Sequence, residues 1–168
     1  MDRTLPTRKP LRIPSYDYAQ GNGYFLTLCT EARKPLFWSD LKLTDPQFLP
    51  LSAAGRAVQT CIEQIPVRYE CVKVEKYCIM PDHVHLLLFY DTAVDGRPMV
   101  APTVSRVVQQ FKGAVSKMIG MPIWQRSFYD HVIRNEAHFE EIRDYIQCNP
   151  LRWAERHDFT LDDHTYLG

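Results

Sequence analysis

The spacing of apolar residues along the chain changes between two periods, one typical of strands and one typical of helices. Four short runs rich in aromatic and β-branched residues predict strands over Tyr24 to Thr30, Glu70 to Met80, His83 to Tyr90 and Ser127 to Arg134. Three longer runs with helical spacing predict helices, which begin at Ser52, Thr103 and Asn135 and end at Pro66, Gly120 and Asn149-Pro150. The last helix is expected to end there because the residue before a proline avoids the α region. A loop is predicted over residues 91–102.

The order of these elements is β-α-β-β-α-β-α, which is the ferredoxin-like split βαβ arrangement with an additional C-terminal helix. We therefore predict an α+β fold in which helices cover one face of an antiparallel sheet and the other face is free to carry a site. The chain has 168 residues, of which 45% are hydrophobic, and this is enough for one well-buried core. We expect a single domain over residues 23–156, with an irregular arm before it (residues 1–22) and a tail after it (residues 157–168).

Composition and charge narrow the functional classes only a little. The longest apolar runs, such as Val84 to Tyr90, are much shorter than the ~20 residues that cross a membrane, and the polar N-terminus has no signal-peptide core, so we expect a cytoplasmic protein. The 5 cysteines form no C-x-x-C pair and indicate neither a disulfide framework nor a zinc knuckle. Because 20 basic residues balance 20 acidic ones, a nucleic-acid partner would have to bind to a local basic face.

The tripeptide His83-Val84-His85 is the first candidate for chemistry. Alternate residues of a strand share a face, so the two histidines lie about 7 Å apart along the chain and are close enough to bind one cation. Val84 then points into the core. The same pattern also fits two ordinary histidines at a strand end. Asp82, directly before the pair, fits either a carboxylate that orients an imidazole or a simple turn residue.

Two residues of the last predicted helix form the second candidate. Tyr145 and Asn149 are spaced i, i+4 and therefore lie above one another on one helix face, where one can be a nucleophile while the other reaches a metal. Each also has a structural explanation, as a half-buried helix tyrosine and as a C-terminal cap. Tyr129 is the competing nucleophile, but its place in an apolar strand predicts that it lies in the core.

Three sequence motifs give the candidates a context. The segments IMPDHVHLLL, WQRSFYDHVIR and YIQCNP resemble, in this order, motifs of the HUH single-tyrosine transposases, and in particular of the REP-associated tyrosine transposases. Together with the earlier segment YFLTLCTEARKPLF, the resemblance covers roughly residues 14–153.

The resemblance implies a metal-dependent DNA nuclease and strand transferase. It implies that His83, His85 and Asn149 hold Mg²⁺ or Mn²⁺ and that Tyr145 is the nucleophile. It also implies cleavage of single-stranded DNA next to a hairpin, which leaves a 5′-phosphotyrosine and a free 3′-hydroxyl. A cation that neutralises charge on the scissile phosphate suits this chemistry. Relatives act as homodimers or as monomers, so the resemblance leaves the oligomeric state open.

Residues that could contact DNA fall into two groups. One is a polar stripe on the second long helix, formed by Arg106, Gln110 and Lys117. The other is a set of arginines around the last strand and helix, with Trp124 and Trp153 near them in sequence: Arg126, Arg134 and Arg152. Arginines and aromatic rings together are typical of single-strand binding. A solvated helix face and core tryptophans explain the same residues equally well.

Two rival functions use the same residues differently. A DNA-hairpin-binding protein or repressor would bind the hairpin without cleaving it. Such a protein would have no need of all four of the residues His83, His85, Tyr145 and Asn149. A metal-dependent hydrolase would use His83, His85 and a carboxylate to activate water, and it would leave no covalent adduct.

Overall fold

A computed structural model of the chain describes residues 22–157, apart from residues 46, 92, 95, 96 and 99. The predicted arm and tail therefore lie almost entirely outside the described residues, and their boundaries stay a prediction. The strands are β1 (Gly23–Cys29), β2 (Val72–Ile79), β3 (His83–Tyr90), β4 (Ala93–Val94), β5 (Arg97–Pro98) and β6 (Tyr129–Ile133). The helices are α1 (Ala53–Glu63), α2 (Ile65–Arg68), α3 (Val104–Ile119) and α4 (Glu136–Arg156), and Glu31–Arg33 form a 3-10 turn.

Four of the strands form one antiparallel sheet in the order β2-β3-β1-β6. This is the strand order of the ferredoxin-like arrangement, so the predicted α+β fold is confirmed. Strands β4 and β5 pair only with each other and form a small ladder within the predicted loop. The central strands β3 and β1 each have a neighbouring strand on both sides, and every residue of β3 is buried.

One face of the sheet packs against helices α1 and α3 and forms part of the hydrophobic core. Val84, Leu86 and Leu88 of β3 are almost completely buried on it, as the alternation predicts. Helix α1 covers this face, because the Gln59 side-chain amide donates to the hydroxyl of Tyr77, which is paired with Leu86. Helix α3 packs beside α1. Burying each large aliphatic side chain stabilises the fold by roughly 1.5–3 kcal/mol.

Helix α4 lies on the opposite face of the sheet, over β2 and β3. Near its beginning, the ring of Phe139 packs edge-on against Phe89 with a centroid distance of 5.4 Å. Near its end, Trp153 packs against Trp38 with a centroid distance of 5.3 Å. The sheet therefore has helices on both faces, and the face that carries the histidines is partly roofed by α4.

The ends of α3 form as the sequence predicts. The Thr103 hydroxyl accepts a hydrogen bond from the backbone N–H of Arg106, at 3.2 Å, and so caps the first turn. Gly120 ends the helix with a φ of 87°, a left-handed conformation that glycine adopts without a Cβ penalty.

Two prolines were predicted to end helices: α1 does end before Pro66, whereas the prediction for Pro150 is wrong. Pro66 lies in the first turn of α2, where the missing N–H costs nothing, and α1 ends earlier, at Glu63. Pro150 lies inside α4, which continues to Arg156. A proline in a helix interior costs about 3 kcal/mol, and burial of Trp153 and Ala154 beyond it offsets that cost.

Candidate functional site

The two histidines of β3 face each other on the α4 side of the sheet. His83 and His85 are 8% and 3% exposed. Their Nε2 atoms are 3.1 Å apart, and their ring centroids are 4.7 Å apart. The prediction that they share a face is confirmed. The sequence spacing overestimated their separation, because the rings tilt towards each other from a Cα spacing of about 7 Å.

Polar neighbours hold the far nitrogen of each ring. Nδ1 of His83 lies 2.6 Å from Oδ1 of Asp82, and Nδ1 of His85 lies 2.9 Å from the Thr27 hydroxyl. The Arg33 guanidinium donates to the other carboxylate oxygen of Asp82, at 2.9 Å. A carboxylate that accepts from Nδ1–H leaves the His83 Nε2 with a free lone pair. Asp82 therefore orients an imidazole as well as occupying the turn.

Burial and the neighbouring charges keep His85 neutral. Burial and, to a smaller extent, the nearby His83 and Arg33 together lower the pKa of His85 to about 3. Burial by itself would raise the pKa of Asp82, but the hydrogen bond from His83 and the Arg33 charge outweigh burial and lower it. At neutral pH the site thus presents a carboxylate behind one ring and an uncharged imidazole beside it.

The donor set fits a cation with open coordination positions. Octahedral Mg²⁺ holds ligands at about 2.0–2.1 Å, which places adjacent ligand atoms about 3 Å apart. The observed Nε2 to Nε2 distance of 3.1 Å is close to that value. Among the described residues, no three His, Cys, Asp or Glu side chains lie close enough together to hold one metal ion. A third protein ligand at this site would therefore have to be of another type.

Tyr145 lies beside the histidine pair on α4. Its ring packs edge-on against His85 and Phe25, with centroid distances of 5.4 and 5.9 Å. The side chain is 37% exposed, so solvent and a large substrate can reach it. The guanidinium carbon of Arg152 is 5.9 Å from the centre of the ring.

Asn149 lies about 6 Å further along the same face of α4. It is 2% exposed, and its Oδ1 has no hydrogen-bond partner among the residues that the structure describes. On α4, Tyr145 contacts His85 one turn before Asn149, and Trp153 contacts Trp38 one turn after it. Asn149 therefore lies on the helix between these two contacts. A buried carbonyl oxygen without a partner costs about 1–3 kcal/mol, which a ligand in the site would recover.

The sequence interpretation missed Thr27 and Arg33. Thr27 is paired with His85 across β1 and β3, and this register follows from tertiary structure rather than from any local motif. Arg33 reaches Asp82 from the 3-10 turn, in which Ala32 and Arg33 have φ values of 53° and 55°. Left-handed conformations are rare for residues other than glycine, and their cost is accepted most often at functional sites.

The structure brings only some of the predicted DNA-contacting residues to this face. Arg106, Gln110 and Lys117 are on α3, on the far side of the sheet, where Gln110 accepts hydrogen bonds from Tyr69 and Arg68. Arg152 contacts Tyr145. Arg126 follows Gln125, whose N–H donates to Cys29 beside His83, whereas Arg134 follows the opposite end of β6.

Two predictions about aromatic residues also have an outcome. Tyr129 was expected in the core, and this is wrong, because the residue is 58% exposed at the beginning of the edge strand β6. Trp153 is a core residue rather than a stacking surface, since it is 9% exposed and packs on Trp38. No helix in the described part of the chain is long and apolar enough to cross a membrane.

Comparison with known proteins gives a consistent family. One curated relative, an uncharacterized protein of Haemophilus influenzae, is 28% identical over 88% of this chain and 91% of its own length. A second protein of Haemophilus influenzae, named as a candidate REP-associated tyrosine transposase, is 26% identical over 81% of this chain and 74% of its own.

A solved structure of a REP-associated tyrosine transposase bound to a REP hairpin superposes with a TM-score of 0.59. It is 19% identical and covers 83% of this chain and 70% of its own, so it shows that the fold is the same. The family model described as "Transposase IS200 like" matches residues 22–149, which include both histidines, Tyr145 and Asn149. The chain belongs to the IS200-like transposase family.

Proposed function

We propose that the protein cleaves and rejoins single-stranded DNA next to a hairpin, with Tyr145 as the nucleophile. The observation that carries the proposal is the position of the Tyr145 ring, 5.4 Å from His85 and partly open to solvent, beside two imidazoles whose Nε2 atoms face each other at 3.1 Å. An accessible hydroxyl next to a polar, buried donor set is the arrangement that nucleophilic catalysis needs.

His83, His85 and Asn149 would hold the divalent cation, Mg²⁺ or Mn²⁺. When bound, the cation supplies charge neutralisation for the scissile phosphate. Two imidazole nitrogens and an unpartnered buried amide oxygen are a chemically suitable set of ligands. Asp82 and Thr27 keep the rings oriented by holding both Nδ1 atoms, so that the Nε2 lone pairs are directed into the site.

The reaction itself is a transesterification. The Tyr145 oxygen forms a bond to the phosphorus and gives its proton to solvent, while the bond from the phosphorus to the 3′-oxygen breaks and that oxygen takes up a proton. The products are a 5′-phosphotyrosine and a free 3′-hydroxyl. Arg152 lies beside the ring, where its positive charge can attract the phosphate that Tyr145 attacks. The same steps in reverse rejoin the strand without a nucleotide cofactor.

A DNA hairpin is the proposed partner because the structurally similar transposase is described as bound to one. The balanced charge of the chain is compatible with this, since recognition by shape and phosphates needs only a local positive surface. Arg126 and Arg152, which the fold places near the His83 end of the sheet and at Tyr145, are the arginines best located to supply it. The oligomeric state in this reaction stays open.

The test is a covalent-capture assay. The chain is incubated with a radiolabelled oligonucleotide that carries a hairpin and a single-stranded flank, in Mn²⁺, and is analysed on a denaturing gel. We expect a protein–DNA adduct that Tyr145→Phe abolishes and that the exposed matched control Tyr129→Phe retains. An adduct that persists in Tyr145→Phe would overturn the assignment of the nucleophile.

The same assay separates the two rival functions. Cleaved ends without any adduct would indicate a hydrolase that activates water. Tight binding of the hairpin without cleavage, in Mg²⁺ as in Mn²⁺, would indicate a hairpin-binding protein or repressor. The intact set of Tyr145, His83, His85 and Asn149 favours the covalent mechanism over both.

A further inference from the structure

A second pair of histidines reproduces the geometry of the first. His131 of β6 and His138 of α4 have their Nε2 atoms 3.1 Å apart, and their ring centroids are 4.7 Å apart with an interplanar angle of 81°. The corresponding values for His83 and His85 are 3.1 Å, 4.7 Å and 77°. Tetrahedral Zn²⁺ holds nitrogen ligands at about 2.0–2.1 Å and therefore about 3.3 Å from one another, which is close to the 3.1 Å observed in this pair.

Local structure explains why two residues seven positions apart in sequence meet. Strand β6 ends at Ile133, and Asn135 immediately caps α4 by accepting a hydrogen bond from the His138 backbone N–H, at 2.8 Å. This short connection turns the chain back, so that the first turn of α4 passes over the strand it has just left. His131 and His138 consequently connect two elements through their side chains.

The pair borders a cavity of about 260 Å³ between β6 and α4. Seven residues form its walls: Phe25, Tyr129, His131, His138, Glu141, Ile142 and Tyr145. Glu141 is one helical turn beyond His138 and therefore a neighbour of it on the helix surface. The cavity thus combines two imidazoles and a carboxylate, and it shares the Tyr145 side chain with the site described above.

We propose that His131 and His138 bind a divalent transition-metal cation, for which Zn²⁺ is the probe, with water completing its coordination and Glu141 adding negative charge nearby. Imidazole nitrogens are preferred ligands of zinc, nickel and copper, and among the described residues this pair has no counterpart of the Asn149 amide oxygen that is proposed as a ligand beside the first pair. A cation held by one strand residue and one helix residue ties α4 to β6. It stabilises the position of the helix that carries Tyr145.

The proposal is independent of the proposed nuclease activity, because it concerns binding alone. A hydrogen bond from one Nε2–H to the other Nε2 gives the same distance without a metal, and this is the outcome that the experiment must separate. Both imidazoles are accessible, since His131 is exposed and His138 is only partly buried. Zinc can therefore reach the pair in the folded protein.

The experiment is a titration of the full chain, without an affinity tag, with Zn²⁺ in an isothermal calorimeter. In the variant with His83→Gln and His85→Gln we expect one equivalent of bound zinc. Adding His131→Gln or His138→Gln removes a ligand and should weaken zinc binding by more than tenfold. Roughly tenfold is already lost when only a residue hydrogen-bonded to a ligand is replaced. Glu141→Gln should weaken it less, and the control His157→Gln should leave it unchanged.

A second measurement does not depend on folding of the multiple variant. In the otherwise unaltered chain, His131→Gln should lower the zinc stoichiometry by one equivalent. Zinc should still raise the thermal midpoint of the His83→Gln variant to some extent, and His131→Gln should abolish that remaining rise. If zinc binds to the variant without His83 and His85 only as weakly as it binds to the variant that also lacks His131, the pair is a hydrogen bond and the proposal is wrong.

Discussion

The two histidine pairs have the same internal geometry and very different surroundings. His83 and His85 lie under α4, and Asp82 and Thr27 hold their Nδ1 atoms. His131 and His138 lie at the edge of the sheet, and within the described part of the chain no hydrogen bond to the Nδ1 of either ring is present. Outer partners raise the basicity of an imidazole and fix its tautomer, so the first pair is better organised to hold a hard cation.

The difference arises from the backbone rather than from local sequence. In each pair, the first histidine directly follows an aspartate in the sequence: Asp82 precedes His83, and Asp130 precedes His131. Asp82 precedes β3 in a turn and can fold back onto the neighbouring ring, with its Oδ1 2.6 Å from Nδ1. Asp130 is inside β6, where consecutive side chains project from opposite faces. One dipeptide therefore gives an oriented imidazole in one place and an unsupported one in the other.

The largest expected effect is on DNA cleavage. Replacing His85 by Gln removes one member of the buried pair, and we expect the cleavage rate in Mg²⁺ to fall on the order of 10²–10³-fold, the range seen when one preorganised group is lost. In the same buffer, free of transition metals, His131→Gln should leave the rate largely unchanged. Single-turnover kinetics on a hairpin oligonucleotide measures both, and equal losses would mean that the two pairs act in one catalytic unit.

The next effect concerns the outer partner of the buried pair. Asp82→Asn preserves the shape of the side chain but removes the charge behind His83, so we expect the Mn²⁺ affinity of that site to fall roughly 10–100-fold. Asp130→Asn is the matched control and should leave the affinity unchanged. Titration followed by Mn²⁺ electron paramagnetic resonance measures the affinity. Similar losses in both variants would contradict the distinction that the backbone makes between the two aspartates.

The buried pair also predicts how stability depends on pH in the metal-free protein. The pKa of His85 is about 3 in the fold and 6.5 for an unperturbed histidine, so below pH 6.5 the unfolded chain takes up a proton that the folded chain does not. The contribution of His85 is complete above pH 6.5 and is lost as the pH falls towards 3. The loss is about 1.4 kcal/mol per pH unit.

Urea unfolding in a chelator at several pH values checks this sign. His85→Gln should remove that part of the slope between about pH 6.5 and pH 5, while His131→Gln should retain it. A slope that is the same in the parent chain and in His85→Gln would show that the imidazole is not buried in neutral form.

The smallest effect tests how tightly α4 covers the first pair. Cys78 is paired with His85 on the neighbouring strand, and burial raises the pKa of its thiol to about 12, whereas Cys148 on α4 is exposed. Because the thiolate is the reactive form, iodoacetamide should modify Cys148 in the folded protein and leave Cys78 unmodified. Mass spectrometry of peptides identifies the modified residues. Equal modification of the two would mean that α4 leaves the sheet readily.

Sequence patterns predicted the elements whose ends depend on local chemistry. Strand β3 has the predicted bounds, and α3 begins after its Thr103 cap and ends before the left-handed Gly120. The predicted end of α4 was wrong because local preference at Pro150 is outweighed by packing of Trp153 on Trp38, two residues 115 positions apart in the numbering. Such a tertiary contact has no trace in the local pattern.

The candidate site likewise combines residues that local patterns predicted with residues that only the tertiary structure brings together. Alternation along one strand placed His83 and His85 together, and helical spacing together with the family motifs indicated Tyr145 and Asn149. The partnership of Thr27 with His85 follows from strand register, and that of Arg33 with Asp82 from two residues with positive φ. The exposed position of Tyr129 follows from the edge location of β6, whereas the prediction that it lies in the core used only the apolar character of its segment.

The identity of the residue that becomes linked to DNA tests the central claim most directly. The covalent adduct formed on a hairpin oligonucleotide is digested with protease and nuclease, and tandem mass spectrometry locates the nucleotide on a peptide. We predict a nucleotide on Tyr145, in the α4 peptide that also contains Asn149. A nucleotide on Tyr129 or on another residue would contradict the account.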